Sequence, residues 1–530
     1  MDAGQKKETL RRLTFGNQVA EEEREALKDY FVKTQAWERI YNGEIDIVYG
    51  QKGAGKSALY VLVQDHSDEL FDNNVLLISA ENPQGAPAFK DIERDPPASE
   101  REFAGIWKLY FASLLGRVLK SYEIKNVHSA RLFEYLEEIG LLVPEKTALG
   151  VVLTSVRRYV ARFFRPKAVE TSLSLDPVSG APTGVGGKVI FEDPDIATVA
   201  KGYLSVDELL HIADQALGEA KYVAWLMIDR LDVAFDESSD LERNALRALF
   251  RAYRDIRSLN CIKPKIFLRT DIWKRITEDG FREATHMSRD IHLEWDKASL
   301  RNLVIRRLIS NASVQVLYGV NKDTVLSTVS AQDNLFSRAF PDQVEVGEKQ
   351  STTFDWIVRR TADGTGRTQP RDVILFLNKV CEVQNRRLER GESEPSGEWL
   401  FDRTAFKEAM PALSEYKVTK VLYAEYPHIR KYIEALRERK TEHNVESLAR
   451  LWDVEEPIAT GIARTMRDIG FFEERVTKGE VTFWVPFVYR TYLAMSQGKV
   501  AELQAAPFDP RDWAFLEDDI LGAEESSGPI

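Results

Sequence analysis

Cysteine is nearly absent. Cys261 and Cys381 are the only two in 530 residues, far apart and outside any metal-ligand spacing, which excludes a disulfide framework and a thiolate zinc site. Long apolar runs are missing as well. No stretch reaches the roughly 18 uninterrupted apolar residues of a spanning helix, and Met1 to Lys7 is polar where a leader would be apolar. No membrane span is expected, and the expected location is the cytoplasm. Internal repeats with a period of roughly 20–50 residues are absent. Nor does charge of one sign dominate the body of the chain. Residues 501–530 carry eight carboxylates against Arg511, so −7 of the formal net charge of −12 sits there and the other 500 residues sum to −5. That near balance excludes a wholly cationic nucleic-acid binder but leaves room for local basic faces. The acidic tail reads as a solvated or docking segment. What remains is globular composition, 44% hydrophobic and 29% charged. At about 100–200 residues per domain it implies three or so packing units.

The strongest positive signal begins with Ile45, Ile47, Val48 and Tyr49, a short strand-like run that stops at Gly50. Gly50, Gln51, Lys52, Gly53, Ala54, Gly55, Lys56 and Ser57 follow in the GxxxxGKS pattern, and Ala58 to Val63 then read as a helix. Glycines let consecutive backbone N–H groups turn around anionic oxygens, and the start of the helix adds its positive dipole end. In such a loop Lys56 reaches the β- and γ-phosphates and the Ser57 hydroxyl takes one position on Mg²⁺. Leu59, in the first turns of the same helix, is counted with the nucleotide-binding segment.

A second motif separates the functions that such loops serve. Tyr222 to Ile228 is a continuous apolar run ending in Asp229, which fits a parallel strand buried on both faces with a carboxylate at its carboxyl end, where it can hold the magnesium water shell. The residue after it is Arg230, which cannot act as a base. Asp232 is the better candidate for orienting an attacking water, ahead of Asp236 and Glu237; alternatively it caps the following helix. A third strand, Lys265 to Leu268, ends in Arg269, Thr270 and Asp271. There Arg269 either stabilises transition-state charge or pairs with Asp271 as a structural bridge.

Together these residues resemble the P-loop ATPases related to the KAP and STAND groups, near the AAA+ and ORC-type ATPases. The resemblance rests on Phe15, Gly16, Trp37, Glu38 and Gly43, on Gly50 to Leu59, and on Ile228 to Phe235. It extends to Phe267 to Trp273, Leu293 to Trp295 and Gly366 to Asp372. It implies an α/β fold: a P-loop core with a parallel sheet, then a helical lid and a C-terminal winged-helix domain. Implied boundaries are 1–40 for a helical approach, 41–300 for the core with an insert at about 123–200, 301–395 for the lid, 400–500 for the winged helix and 501–530 for the tail. It also implies ATP and Mg²⁺ as ligands, slow or partner-stimulated ATP hydrolysis, a possible homo-oligomer, and a γ-phosphate contact from Arg371. The bland alternative for Arg371 is a solvent-exposed place in the first turn of a helix opened by Pro370. The 173 positions from Lys56 to Asp229 hold no spanning helix, unlike members named for such segments. No nuclease, protease or deaminase motif follows the lid, so a separate effector in bacterial phage defence is the expected output. The alternative is a DNA-binding initiator or transposition regulator.

Several other segments carry expectations. Phe103 to Val118 has the apolar spacing of a core helix. Val151 to Lys167 carries Arg157, Arg158, Arg162, Arg165 and Lys167 with aromatic residues and no carboxylate, a pattern suited to nucleic acid, an anionic surface or an acidic protein partner. Thr171–Leu175 and Lys188–Phe191 flank a Gly- and Pro-rich loop and suggest a projecting hairpin. Arg243, Arg247, Arg251, Arg254 and Arg257 stripe one helix face, either bridged to carboxylates or supplying a finger to a neighbour, with Arg282 and Arg289 as rivals. Val445–Trp452, Ile458–Ile469 and two strand-like runs joined through Lys478 have the order of a winged helix, thinly charged for DNA at Arg464 and Arg467.

Overall fold

The computed structural model describes residues 3–17, 20–80, 99–144, 146–164, 189–190, 204–229, 231, 239–278, 280–477 and 479–499. The chain forms two bodies: one of residues 35–51 and 56–293, the other of residues 1–34, 52–55 and 294–530.

The first body is built on a sheet of five strands: β1 (Ile47–Gly50), β2 (Val75–Ser79), β5 (Val223–Ile228), β6 (Ile262–Arg269) and β7 (Asp290–His292). Their order is β2-β5-β6-β1-β7 and every pairing is parallel. Parallel strands covered by helices on both faces need apolar residues at every position, and all four residues of β1 and five of six in β5 are buried. Two short strands, β3 (Val189–Ile190) and β4 (Leu204–Ser205), form a separate parallel pair. That pairing was not expected from the sequence, and residues 171–188 and 191 of the anticipated hairpin lie outside the described residues.

The expected core helix spans Glu100–Ser121 and starts where the Ser99 hydroxyl accepts the Glu102 N–H at 3.2 Å. Its aromatic face is fixed by polar tips: Trp107 donates to the Ala245 carbonyl (2.9 Å) and Tyr110 to the Ala80 carbonyl (2.7 Å). Beside it runs Ser239–Ile256, whose Arg247, Arg251 and Arg254 are bridged within this body. Arg251 meets Glu100 (2.8 Å) and Glu283 (3.1 Å), and Arg257 donates to the His286 carbonyl (2.6 Å) and the Ser288 hydroxyl (2.9 Å). Arg289 is tied to Asp46 at 2.9 Å, while Arg282 is exposed. Asp46 also pairs with the buried Lys265 at 2.9 Å; burial pushes that ammonium's pKa down and the carboxylate only partly offsets it.

The second body gathers the N-terminal helix Ala3–Arg12, the helices Lys297–Ile309, Val329–Ala339, Thr353–Thr361 and Pro370–Glu389, and a C-terminal module. Arg307 and Glu23 form a buried ion pair (3.1 Å) that fastens the N-terminal segment, with Tyr30 under the guanidinium at 4.3 Å. Helix Arg403–Glu415 runs into a seven-residue π-helix, Tyr416–Leu422. The module's sheet has the order β11-β8-β10-β9, from β8 (Lys440–Asn444), β9 (Glu473–Thr477), β10 (Glu480–Trp484) and β11 (Ser496–Lys499). Helices Val445–Trp452 and Glu456–Asp468 lie between β8 and β9 in sequence. Among the described residues, no helix is long and apolar enough to cross a membrane.

Candidate nucleotide site

β1 ends at Gly50 and the helix Lys56–Asp65 begins at the motif lysine, so strand, glycine turn and helix follow in the expected order. Within the first body the Lys56 ammonium donates to the carbonyls of Gly50 (2.9 Å) and Gln51 (3.2 Å). The Ser57 hydroxyl donates to Asp229 Oδ2 at 3.1 Å. Asp229 is only 6% exposed and sits one residue past β5. Leu59 is buried on the same helix.

The strand that separates β5 from β1 is β6, with Ile228 in register with Ile266 and Gly50 with Arg269. Arg269 therefore lies at the carboxyl end of the sheet, level with the start of the glycine loop. Its guanidinium makes a two-pronged contact with Asp271, Nε to Oδ1 at 3.0 Å and Nη2 to Oδ2 at 2.7 Å. Of the two sequence alternatives, the bridge is thus formed. Asp232, Asp236, Glu237 and Arg230 lie outside the described residues.

The loop tip, Lys52–Gly55, belongs to the second body. Gly53 (φ +83°) and Gly55 (φ +99°) are both left-handed, a backbone that other residues adopt only with strain. A Cβ on Gly53 would come to 3.0 Å from Arg371 Cβ, so the helix Pro370–Glu389 packs against bare backbone there. The Arg371 N–H donates to the Gly53 carbonyl at 3.4 Å, and the Trp295 indole N–H to the Ala54 carbonyl at 2.8 Å. Lys52 is ion-paired with Glu425. Arg371 is half-buried, not solvent-exposed as its bland alternative had it.

The helix Pro370–Glu389 is tied to the C-terminal module next to Arg371. Asp372 and Lys417 form a buried ion pair at 2.8 Å, Lys417 coming from the π-helix. Burial alone would depress the Lys417 ammonium, but Asp372, with Tyr489 and Asp363 nearby, holds its pKa above the ordinary value. Asp363 shapes the turn before the helix by accepting from the Thr365 N–H (2.9 Å) and hydroxyl (2.6 Å). Burial pushes its carboxyl up.

Sequence reasoning missed Glu425, Trp295 as a donor, and Lys417. Leu293 to Trp295 was noted as a motif, but nothing in the sequence marked Glu425 or Lys417. In the basic segment, which forms helix Leu149–Phe164, Val152, Val156, Tyr159 and Val160 face the core, while Arg158 is exposed and Arg157 half-buried. Arg165 and Lys167, and the side chain of Arg162, lie outside the described residues. Lys478 does as well. On helix Glu456–Asp468 Arg464 is exposed, but Arg467 is bonded to Asp468 (2.8 Å) and ion-paired with Glu474.

No protein-family model matches the chain. A curated protein of Escherichia coli (strain K12), the "Putative transposon gamma-delta 80.3 kDa protein", is 23% identical over 306 residues, covering 56% of this chain. The chain spans 39% of that protein's length. The solved structure of the Aeropyrum pernix ORC2 protein in ADPNP-ADP complexes aligns with 91% of this chain and 93% of its own. Sequence identity there is 11% and the TM-score 0.33.

Proposed function

We propose that this chain is an ATP-binding and ATP-hydrolysing molecular switch. The observation that carries the reading is the 3.1 Å bond from the Ser57 hydroxyl to Asp229, which joins the end of the glycine-loop motif to the carboxylate at the tip of β5. A hydroxyl and a carboxylate are hard oxygen donors of the kind that suits Mg²⁺, and the adjoining N–H groups and Lys56 suit a triphosphate. Magnesium held there would neutralise phosphate charge. Lys56 would leave the Gly50 and Gln51 carbonyls for phosphate oxygens, and backbone N–H groups from Gln51 to Ser57 would line the phosphates. Arg269 would leave Asp271 to face the developing charge, Arg371 would read the γ-phosphate, and Asp232 would orient the attacking water.

The segments after residue 300 act as lid and winged-helix module, whose arrangement changes with the nucleotide. The output is a separate effector, in a bacterial defence setting. Equilibrium binding of ATP with and without Mg²⁺ tests the core of this. Wild type should bind at micromolar to millimolar ATP, Lys56→Ala should lose binding, and Asp229→Asn should lose the magnesium dependence alone. No uptake by wild type at millimolar ATP would end the proposal.

A second reading, a DNA-binding transposition regulator, is favoured by the similarity to a transposon protein and by the exposed Arg158. It predicts a DNA affinity that falls steeply with salt and drops when Arg157, Arg158, Arg162 and Arg165 are neutralised.

A further inference from the structure

The glycine loop can cradle phosphate only if its peptide units face the right way. In a trans peptide the carbonyl and the following N–H point in opposite directions. Fixing one carbonyl therefore aims one N–H. The Ala54 carbonyl accepts the Trp295 indole N–H at 2.8 Å, and the Gly53 carbonyl accepts the Arg371 N–H at 3.4 Å. The N–H groups of Gly55 and Ala54 are thereby turned to the opposite side of the loop. Glycines at 53 and 55 with positive φ leave these peptides the most freedom to flip, so an external restraint is needed where the motif itself is loosest.

Trp295 is well placed to supply that restraint. It lies just before the helix Lys297–Ile309, whose start is fixed by Asp296 accepting the Ser299 N–H at 2.6 Å. Its ring packs half-buried against the apolar core of the second body. We propose that Trp295 is a positioning residue for phosphate binding, holding the Ala54–Gly55 peptide so that the Gly55 N–H is presented to the β-phosphate.

This rests on the nucleotide-binding reading above. The test compares Trp295→Phe, which keeps a ring and drops the donor, with wild type in calorimetric titrations against ADP and AMP. The variant should bind ADP about tenfold more weakly, the cost of one lost orienting hydrogen bond. AMP, which has no β-phosphate, should lose less than twofold, and the melting temperature should stay within about 2 °C. A general loosening of the fold would weaken both ligands alike and lower the melting temperature. Equal losses for ADP and AMP, or wild-type ADP affinity, overturn the proposal. Should Trp295→Phe not fold, β-(3-benzothienyl)alanine at 295, with sulfur in place of the indole N–H, carries the same comparison. Absence of ADP binding by wild type overturns the nucleotide reading itself, whereas a wild type that binds beside an unaffected variant overturns only the role of Trp295.

Discussion

Replacing Lys417 by Met tests whether the helix Pro370–Glu389 is anchored by its buried ion pair. Asp372 and Lys417 are 6% and 9% exposed at their side chains and 2.8 Å apart, so neither can turn to water when its partner goes. Removing one member of a buried pair typically costs about 3–5 kcal/mol, because the other charge stays desolvated and unpaired. Asp372→Asn should cost a similar amount by stranding the ammonium. The double variant removes both charges and should return to within about 1–2 kcal/mol of wild type, since a buried pair contributes little net stability over a neutral one. Hydrogen exchange by mass spectrometry reads the effect locally, on peptides covering 370–389 and 416–422. At about 1.4 kcal/mol per tenfold, each single variant should accelerate exchange there by roughly a hundredfold or more. Peptides from 100–121 in the first body should not change. Single variants that exchange less than tenfold faster, or a double variant as fast as the worse single, would refute the buried-pair reasoning.

Other expectations can be checked in parallel. Asp232→Ala should slow ATP turnover about a hundredfold or more while leaving ATP affinity within threefold; wild-type turnover, measured by phosphate release, would remove Asp232 from the mechanism. Burial pushes the His443 imidazole from 6.5 down to about 4. Below pH 6.5 the unfolded chain takes up a proton that the folded chain refuses, so stability is intact above that pH and falls as pH drops toward 4. The loss at pH 5.5 is about 1.4 kcal/mol. Urea midpoints at pH 7 and 5.5 should show that loss in wild type, and His443→Asn should reduce it. Gly364→Ala should destabilise the second body by about 1–3 kcal/mol, because a Cβ there would lie 2.2 Å from the Phe472 carbonyl oxygen; an unchanged melting temperature would contradict this close packing. Glu425→Gln should raise ATP affinity about threefold by releasing Lys52 from a partly exposed ion pair, and a lower affinity in the titration would show that the pair supports the loop.

What could be read from the sequence was local. The apolar run into Asp229, the run into Gly50 with its glycine turn, and the apolar spacing of 103–118 each specify an element through contacts close in the chain, and each element is present near its expected bounds. Arg269 at the end of a strand was legible for the same reason, and both of its alternatives were visible because Asp271 is two residues away. The position of β6 between β5 and β1 was not legible in that way, since strand order depends on pairings between distant segments. Glu425 was hidden more deeply, 373 positions from Lys52 on a helix with no motif. Lys417 looked like any surface lysine in Tyr416 to Leu422. Its burial follows from the π-helix and from Asp372, neither of which leaves a periodic signal. Trp295 lies three residues beyond the end of β7, and its bond to the Ala54 carbonyl left no sequence signal.

If the nucleotide reading proposed above holds, phosphate binding at this loop is an exchange and not a simple addition. Lys56 already holds two charge-assisted bonds to loop carbonyls, Ser57 is bonded to Asp229, and Arg269 is engaged twice by Asp271. Lys52 is paired with Glu425. On that reading a triphosphate would replace the partners of Lys56, Lys52 and Arg269, while Ser57 and Asp229 would turn to the metal, so the net gain per phosphate contact is the difference between a phosphate oxygen and a carbonyl or carboxylate. That difference favours phosphate for Lys56, where a charged acceptor replaces neutral carbonyls. It is small for Lys52 and Arg269, which would exchange one anion for another. Affinity should therefore reside mainly in Lys56 and the backbone N–H groups, leaving Lys52 and Arg269 to report which phosphates are present. Gly53 meets both demands at one position: its left-handed backbone turns the loop, and its missing Cβ lets Arg371 approach. Any side chain at 53 would disturb the turn and the Arg371 contact together, so the two effects should not be separable by substitution at that residue.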